Sequence, residues 1–321
     1  MKRISIILIV VFAVAVMFGQ IRYFPSPQTI LSSGFGEYRP SSSGLLPHFH
    51  MGVDFPTFSR EGVEIRSVDS GYLYKIEIDD DSIYGYTVYI KHENYISLYA
   101  HLSKFATKAR KIVESLIKEF PNRRVEVMFP DNEIFVQAGE VIGYSGRTGE
   151  ALAPHCHLEL RDLENKVAIN PIPVLSISRP YDLKIHIGSV RVDGETYPAT
   201  NGLVVPIKTA IPKIDVLTYI TFDKTFINPH VVSLEVNGRE VYKVEFDSIK
   251  LSEFAQAPKV YGRDSTMRKY WFRMYSDVPL SVVKVNEWNN IPELPARSRV
   301  TIRVRSDWDD EESFTFELVR R

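Results

Sequence analysis

The chain has 321 residues, of which 44% are hydrophobic and 25% charged, with a formal net charge of -1. That mixture supports a sizeable core and up to two ordinary domains, and it excludes a globally disordered chain. The near-neutral total gives no electrostatic ground for nucleic-acid binding, and no nucleic-acid partner is expected.

Lys2 and Arg3 precede an apolar run from Ile4 to Phe18, which has the form of a signal-peptide n-region and h-region. The run is short for a spanning helix, which needs ~20 apolar residues. Residues 1–20 are therefore expected to be a signal peptide or an N-terminal membrane anchor, and the protein to be exported to the periplasm, the cell envelope or the exterior. The single cysteine, Cys156, allows no intramolecular disulfide. The fold must be held by its core or by a metal.

Pro25 to Pro47 is rich in Gly, Pro and Ser and reads as loop or short strand. Short strands with turns follow: Val63 to Arg66, Tyr72 to Ile78, Tyr86 to Lys91 and Tyr95 to Tyr99, each enriched in β-branched and aromatic residues. Lys108 to Phe120 departs from this habit. Ala109, Ile112, Val113, Leu116, Ile117 and Phe120 recur at helical spacing, which predicts an amphipathic helix ended by Pro121. Strand patterns resume at Arg124 to Phe129, Ile134 to Val136 and Val141 to Tyr144, and then at His155 to Arg161 after a Gly-rich turn. A Pro-rich stretch at Asn170 to Pro180 marks a domain boundary. Beyond it, Asp193-Gly194 and Asn237-Gly238 are hairpin signals, Val231 to Val236 and Val241 to Phe246 flank the second, and Val300 to Val304 and Phe314 to Val319 read as closing strands. The C-terminal region, 180–321, is expected to be a β-sandwich-like domain.

The chemistry-bearing residues are few. In a strand, His155 and His157 share a face and Cys156 points away. Their Cα atoms then lie ~6.6 Å apart, so both can serve one site. In His50-Met51-Gly52-Val53-Asp54, a straight strand would separate the His and the Asp by ~13 Å, so convergence needs a bend, for which Gly52 is the permissive residue. Imidazole nitrogen and carboxylate oxygen together suit zinc. Each pair alone is a common chance occurrence. His101, in Tyr99-Ala100-His101-Leu102, follows a strand and could face a cleft. His48, His92, His186 and His230 are expected to be structural, and Cys156 to be a small buried hydrophobe.

Together, H-x-x-x-D, then Y-A-H-L, then G-x-T-G ahead of P-H-x-H-L-E resembles the M23 (LytM/lysostaphin-like) zinc metallopeptidases, over roughly Ser32 to Pro171. Ser33-Gly34-Phe35-Gly36 and Ala138-Gly139-Glu140-Val141-Ile142-Gly143 match as well. The resemblance implies a mainly β chain with an antiparallel, duplicated-hybrid-motif-like peptidase domain over 21–175 and a groove around a zinc ion. It assigns His50, Asp54 and His157 as the metal ligands and His101 and His155 as catalytic histidines beside a metal-bound water, the nucleophile. It implies peptidoglycan cross-links or stem peptides as substrate. Two departures stand out: residues 106–132 look inserted, and the region beyond about Tyr181 lies outside the resemblance. A non-catalytic scaffold or regulator of other wall hydrolases is the alternative function, and an endopeptidase acting on proteins is a third.

Overall fold

The computed structural model describes residues 23–27, 29–41, 45–79, 82–120 and 124–320. The signal or anchor segment and Pro121 lie outside the described residues. Among those described, no helix is long and apolar enough to cross a membrane. The chain divides into two units, Met1–Leu31 with Gly52–Ile177, and Ser32–Met51 with Ser178–Arg321.

Strands β1 (Tyr38–Arg39) and β2 (His48–Phe49) pair antiparallel and belong to the second unit. The reason is aromatic packing: Phe49 contacts Phe246 and Tyr261, and Asn228 donates a 3.0 Å hydrogen bond to the Phe35 carbonyl. Gly36, at φ +80°, packs against the Phe246 ring, where a Cβ would collide.

The first unit runs β3 (Val53–Pro56), β4 (Glu64–Arg66), β5 (Gly71–Ile78), β6 (Thr87–Lys91), β7 (Ile96–Ala100), β8 (Leu102–Phe105), α1 (Arg110–Glu119), β9 (Val125–Met128), β10 (Phe135–Val136), β11 (Val141–Ser145), β12 (His155–Arg161), β13 (Val167–Ile169) and α2 (Pro171–Val174). Its main sheet has the order β10-β5-β6-β7-β12-β13, with β3 added on β12 and β9 on β5. A small sheet, β4-β11-β8, stands apart from it. The pairings are antiparallel, as expected for strands joined by short turns. Strand β12 lies between β3 and β7, so its two faces differ sharply. Cys156, Leu158 and Leu160 point into the core with Val53 and Phe55, while the histidines face the other way.

Residues 106–132 form the expected helix, over Arg110–Glu119, and add β9 to the edge of β5. The apolar stripe is only partly covered: Val113 is buried but Ile112 is exposed.

His92, just after β6, is buried. It donates from Nδ1 to the Ser70 carbonyl at 2.9 Å, and its Nε2 accepts from the Ser97 hydroxyl at 2.7 Å. Burial depresses its pKa, against the opposing pull of the Ser70 carbonyl. The ring is therefore neutral when folded, and the unfolded chain binds the extra proton near ~6.5. This contribution to stability is complete above the unfolded value and is lost as pH falls through the lower folded value. Wild-type protein is expected to lose more stability than His92→Gln between about pH 7.5 and pH 5, as read by denaturant titration. Equal losses would contradict this.

In the second unit, a sheet containing strands 184–192, 195–198, 214–222, 225–227 and 270–273 faces one containing 204–207, 231–236, 239–245, 283–286, 297–305 and 311–320. Strand 184–192 packs on 297–305 and 311–320. The Asn237-Gly238 and Asp193-Gly194 turns have positive φ at both residues, which suits tight hairpins.

Candidate metal centre

Pairing of β3 with β12 sets Asp54 opposite His157, and pairing of β7 with β12 sets Ala100 on the other side of the same histidine. Side-chain alternation then carries His155, His157, Glu159 and Arg161 on one face. The chain bends at Gly52 before entering β3. A side chain there would run into the carbonyl oxygen of Leu158, so glycine is required for close approach rather than for a left-handed φ. The bend brings in His50: one ligand atom each from His50, Asp54 and His157 lie within 4.8 Å of one another.

Three of the histidines share one orientation device. His50, His101 and His155 each place Nδ1 against a backbone carbonyl, of Gly34 at 2.7 Å, Thr148 at 2.8 Å and Ala153 at 2.8 Å. A carbonyl oxygen only accepts, so each Nδ1 carries the proton and each Nε2 is left as a lone pair for the site. His157 is arranged differently. Its Nδ1 lies 2.9 Å from Asp54 Oδ1, and its Nε2 lies 3.0 Å from Glu159 Oε1. With Nε2–H donated to Glu159, Nδ1 is left facing Asp54, in the carboxylate–histidine arrangement that would orient a metal-ligating imidazole.

His101 interrupts the chain between β7 and β8 with φ +60°, a left-handed conformation uncommon for a non-glycine residue. Its backbone N–H donates to the Tyr84 carbonyl. The Thr148 hydroxyl donates to the Leu102 carbonyl and accepts from the Tyr86 N–H, both at 2.9 Å, which fixes the G-x-T-G turn against His101. Gly85, also left-handed, packs directly on Thr148 and Gly149. The His101 ring lies 4.7 Å from that of His155 and 5.7 Å from that of His157. Burial, with His155 and His157 adding to it, pushes the His101 pKa down to about 3, so the ring is neutral.

Glu159 is wholly buried, and its Oε2 accepts from Arg161 Nε at 2.6 Å. Burial would raise its carboxyl, but Arg161 first and His157 next outweigh it and hold it at about 2. His157 is opposed by burial yet raised to about 9 by Asp54 and Glu159. Arg161 also donates to the Tyr84 hydroxyl at 3.2 Å and to Asn165 at 3.0 Å. Sequence reading passed over Glu159, Arg161 and Tyr84. The signal for the first two was present, since the alternation that separated His157 from Cys156 also places them on the histidine face.

The remaining residues fall elsewhere. Cys156 is buried on the core side with its thiol pKa pushed up by burial. His48 stacks on Phe254, His186 bonds Thr221, and His230 bonds Asp247. His230, Glu245 and Asp247 also converge, but Lys243 and Arg305 already neutralise Glu245. The donor set His50, Asp54 and His157, two nitrogens and one carboxylate with second partners on both imidazoles, fits zinc, and three protein ligands leave a fourth position open.

Comparison with known proteins finds partial matches. Residues 48–115 match the model of peptidase family M23. Lysostaphin of Staphylococcus simulans is 27% identical over 145 residues, covering 44% of this chain and 24% of that protein. The DD-carboxypeptidase/endopeptidase Mpg of Neisseria meningitidis serogroup B (strain ATCC BAA-335 / MC58) is 32% identical over 152 residues, covering 47% and 28%. The chain thus spans about a quarter of the length of these curated relatives. The solved catalytic domain of lysostaphin covers 44% of this chain and 89% of its own, at 25% identity and a TM-score of 0.31.

Proposed function

We propose that this chain, whose residues 48–115 match peptidase family M23, is an exported zinc endopeptidase that hydrolyses peptide bonds in peptidoglycan cross-links or stem peptides. One observation carries the reading: His50, Asp54 and His157 form a ligand cluster, and His101 and His155 stand beside it with Nε2 lone pairs facing the site. Export is supported by the basic pair Lys2-Arg3 ahead of the apolar run to Phe18.

Zinc, when bound by His50, Asp54 and His157, would polarise a scissile carbonyl and lower the pKa of a water towards ~7. The protein supplies the proton traffic. His155, fixed in the Nδ1–H tautomer, can accept a proton at Nε2 from the attacking water and return it to the leaving amine, and once protonated it stabilises the oxyanion of the tetrahedral intermediate. His101, in the same tautomer and held neutral, presents its Nε2 lone pair as a hydrogen-bond acceptor that orients the water. Glu159 and Arg161 hold the His157 ring, so the ligand is oriented before substrate arrives.

Protein lacking residues 1–20 is expected to release new amines from peptidoglycan sacculi, with EDTA removing the activity and zinc restoring it. Zinc loading without hydrolysis of sacculi or cross-link peptides would favour a scaffold. Digestion of Gly-rich proteins with sacculi intact would favour a protein endopeptidase.

A further inference from the structure

The sheet face that carries the histidines extends to a second site. Across the strands Tyr72 pairs with Lys91, Lys91 with Ile96, and Ile96 with Arg161. Directly paired residues share a face, and Arg161 shares its face with His157. At the Tyr72–Lys91 end there is a cavity of about 260 Å³, below the ~300 Å³ at which sites for drug-sized ligands begin, so it fits one or two rings. Its walls are Tyr72, Tyr74 and Phe135, with Lys91, Asp131 and Asn132 around them. Tyr72 and Phe135 meet edge to face at 5.5 Å, and Phe135 is exposed. Lys91 and Asp131 form an exposed 2.9 Å ion pair. Asp131 and Asn132 come from residues 106–132.

We propose that this cavity binds an N-acetylhexosamine of the glycan strand to which the cleaved peptide is attached. A sugar ring offers apolar C–H faces to aromatic side chains and hydroxyl and acetamido groups to a carboxylate, an amide and an ammonium. The walls of the cavity also include Glu93, so two carboxylates accompany one ammonium and a phosphate or other polyanion is disfavoured. From Lys91 to His157 is two strands across and four residues along, roughly 16 Å, a distance that an extended peptide spans in about five residues. The inference rests on the proposed peptidoglycan activity and names a substrate subsite for it.

Two measurements separate this subsite from the activity itself. The first compares hydrolysis of cross-linked muropeptides with that of the same peptides stripped of their sugars. The ratio of the two kcat/KM values is expected to fall about tenfold in Phe135→Ala and in Asp131→Ala, both exposed positions. The second is saturation-transfer NMR with the N-acetylglucosamine disaccharide. Wild-type protein is expected to give signals on the acetamido and ring protons, and Phe135→Ala to lose them. An unchanged ratio, or a cavity that takes the sugar-free peptide and not the disaccharide, overturns the subsite. If neither substrate is cut, the proposed activity fails, while the NMR measurement still decides whether the sugar binds.

Discussion

His157→Ala is expected to lose stoichiometric zinc and to lower peptide release from sacculi by at least about 1,000-fold, since a catalytic metal supplies several kcal/mol of transition-state stabilisation. The substitution does more than remove one ligand. His157 lies between Asp54 and Glu159, so alanine leaves two buried carboxylates facing a gap. Metal analysis and initial rates on the same preparation check the result, with far-UV circular dichroism to show that the sheet is retained. Full zinc content with full activity would remove His157 from the centre.

The second large effect is expected at Glu159, which contacts no substrate. Glu159→Gln keeps the shape but removes the charge between His157 and Arg161. Arg161 would remain buried with neutral partners alone among the described residues: the introduced amide oxygen, the Tyr84 hydroxyl, the Asn165 side-chain oxygen and the faces of Tyr84 and Tyr89. Breaking a buried ion pair from one side costs about 3–5 kcal/mol. In a protein of this size that lowers the Tm by roughly 5–7 °C. Because the carboxylate would also orient a metal-ligating imidazole, zinc affinity is expected to fall about 10–100-fold, as read by competition with a chelating dye. A lowered Tm with unchanged zinc affinity would make Glu159 a structural residue only.

Much of this arrangement is visible in local sequence because it depends on strand alternation. Period two in Pro154 to Leu160 separates His155 and His157 from Cys156, and the structure places them on opposite faces. The bend at Gly52 follows from the need to bring His50 towards Asp54. Features that depend on distant partners are not visible in this way. The tautomer of His101 is fixed by Thr148, 47 residues later, and that of His50 by Gly34, through a bend that no local pattern encodes. Strand β8, Leu102–Phe105, exists because β11 pairs with it, and its four residues carry too little pattern to be read alone. Segment Ser32–Met51 packs with residues about 200 positions further on, through Asn228, Phe246 and Tyr261. Only tertiary contact reveals that grouping.

Mass spectrometry of the fragments formed from defined cross-linked muropeptides, with zinc-loaded and chelated protein side by side, tests the central claim most directly. The zinc-loaded protein is expected to split one peptide bond, giving two fragments whose summed mass exceeds the substrate by one water, and the chelated protein to leave the substrate whole. Equal cleavage by both, or intact muropeptides with the zinc-loaded protein, would contradict it.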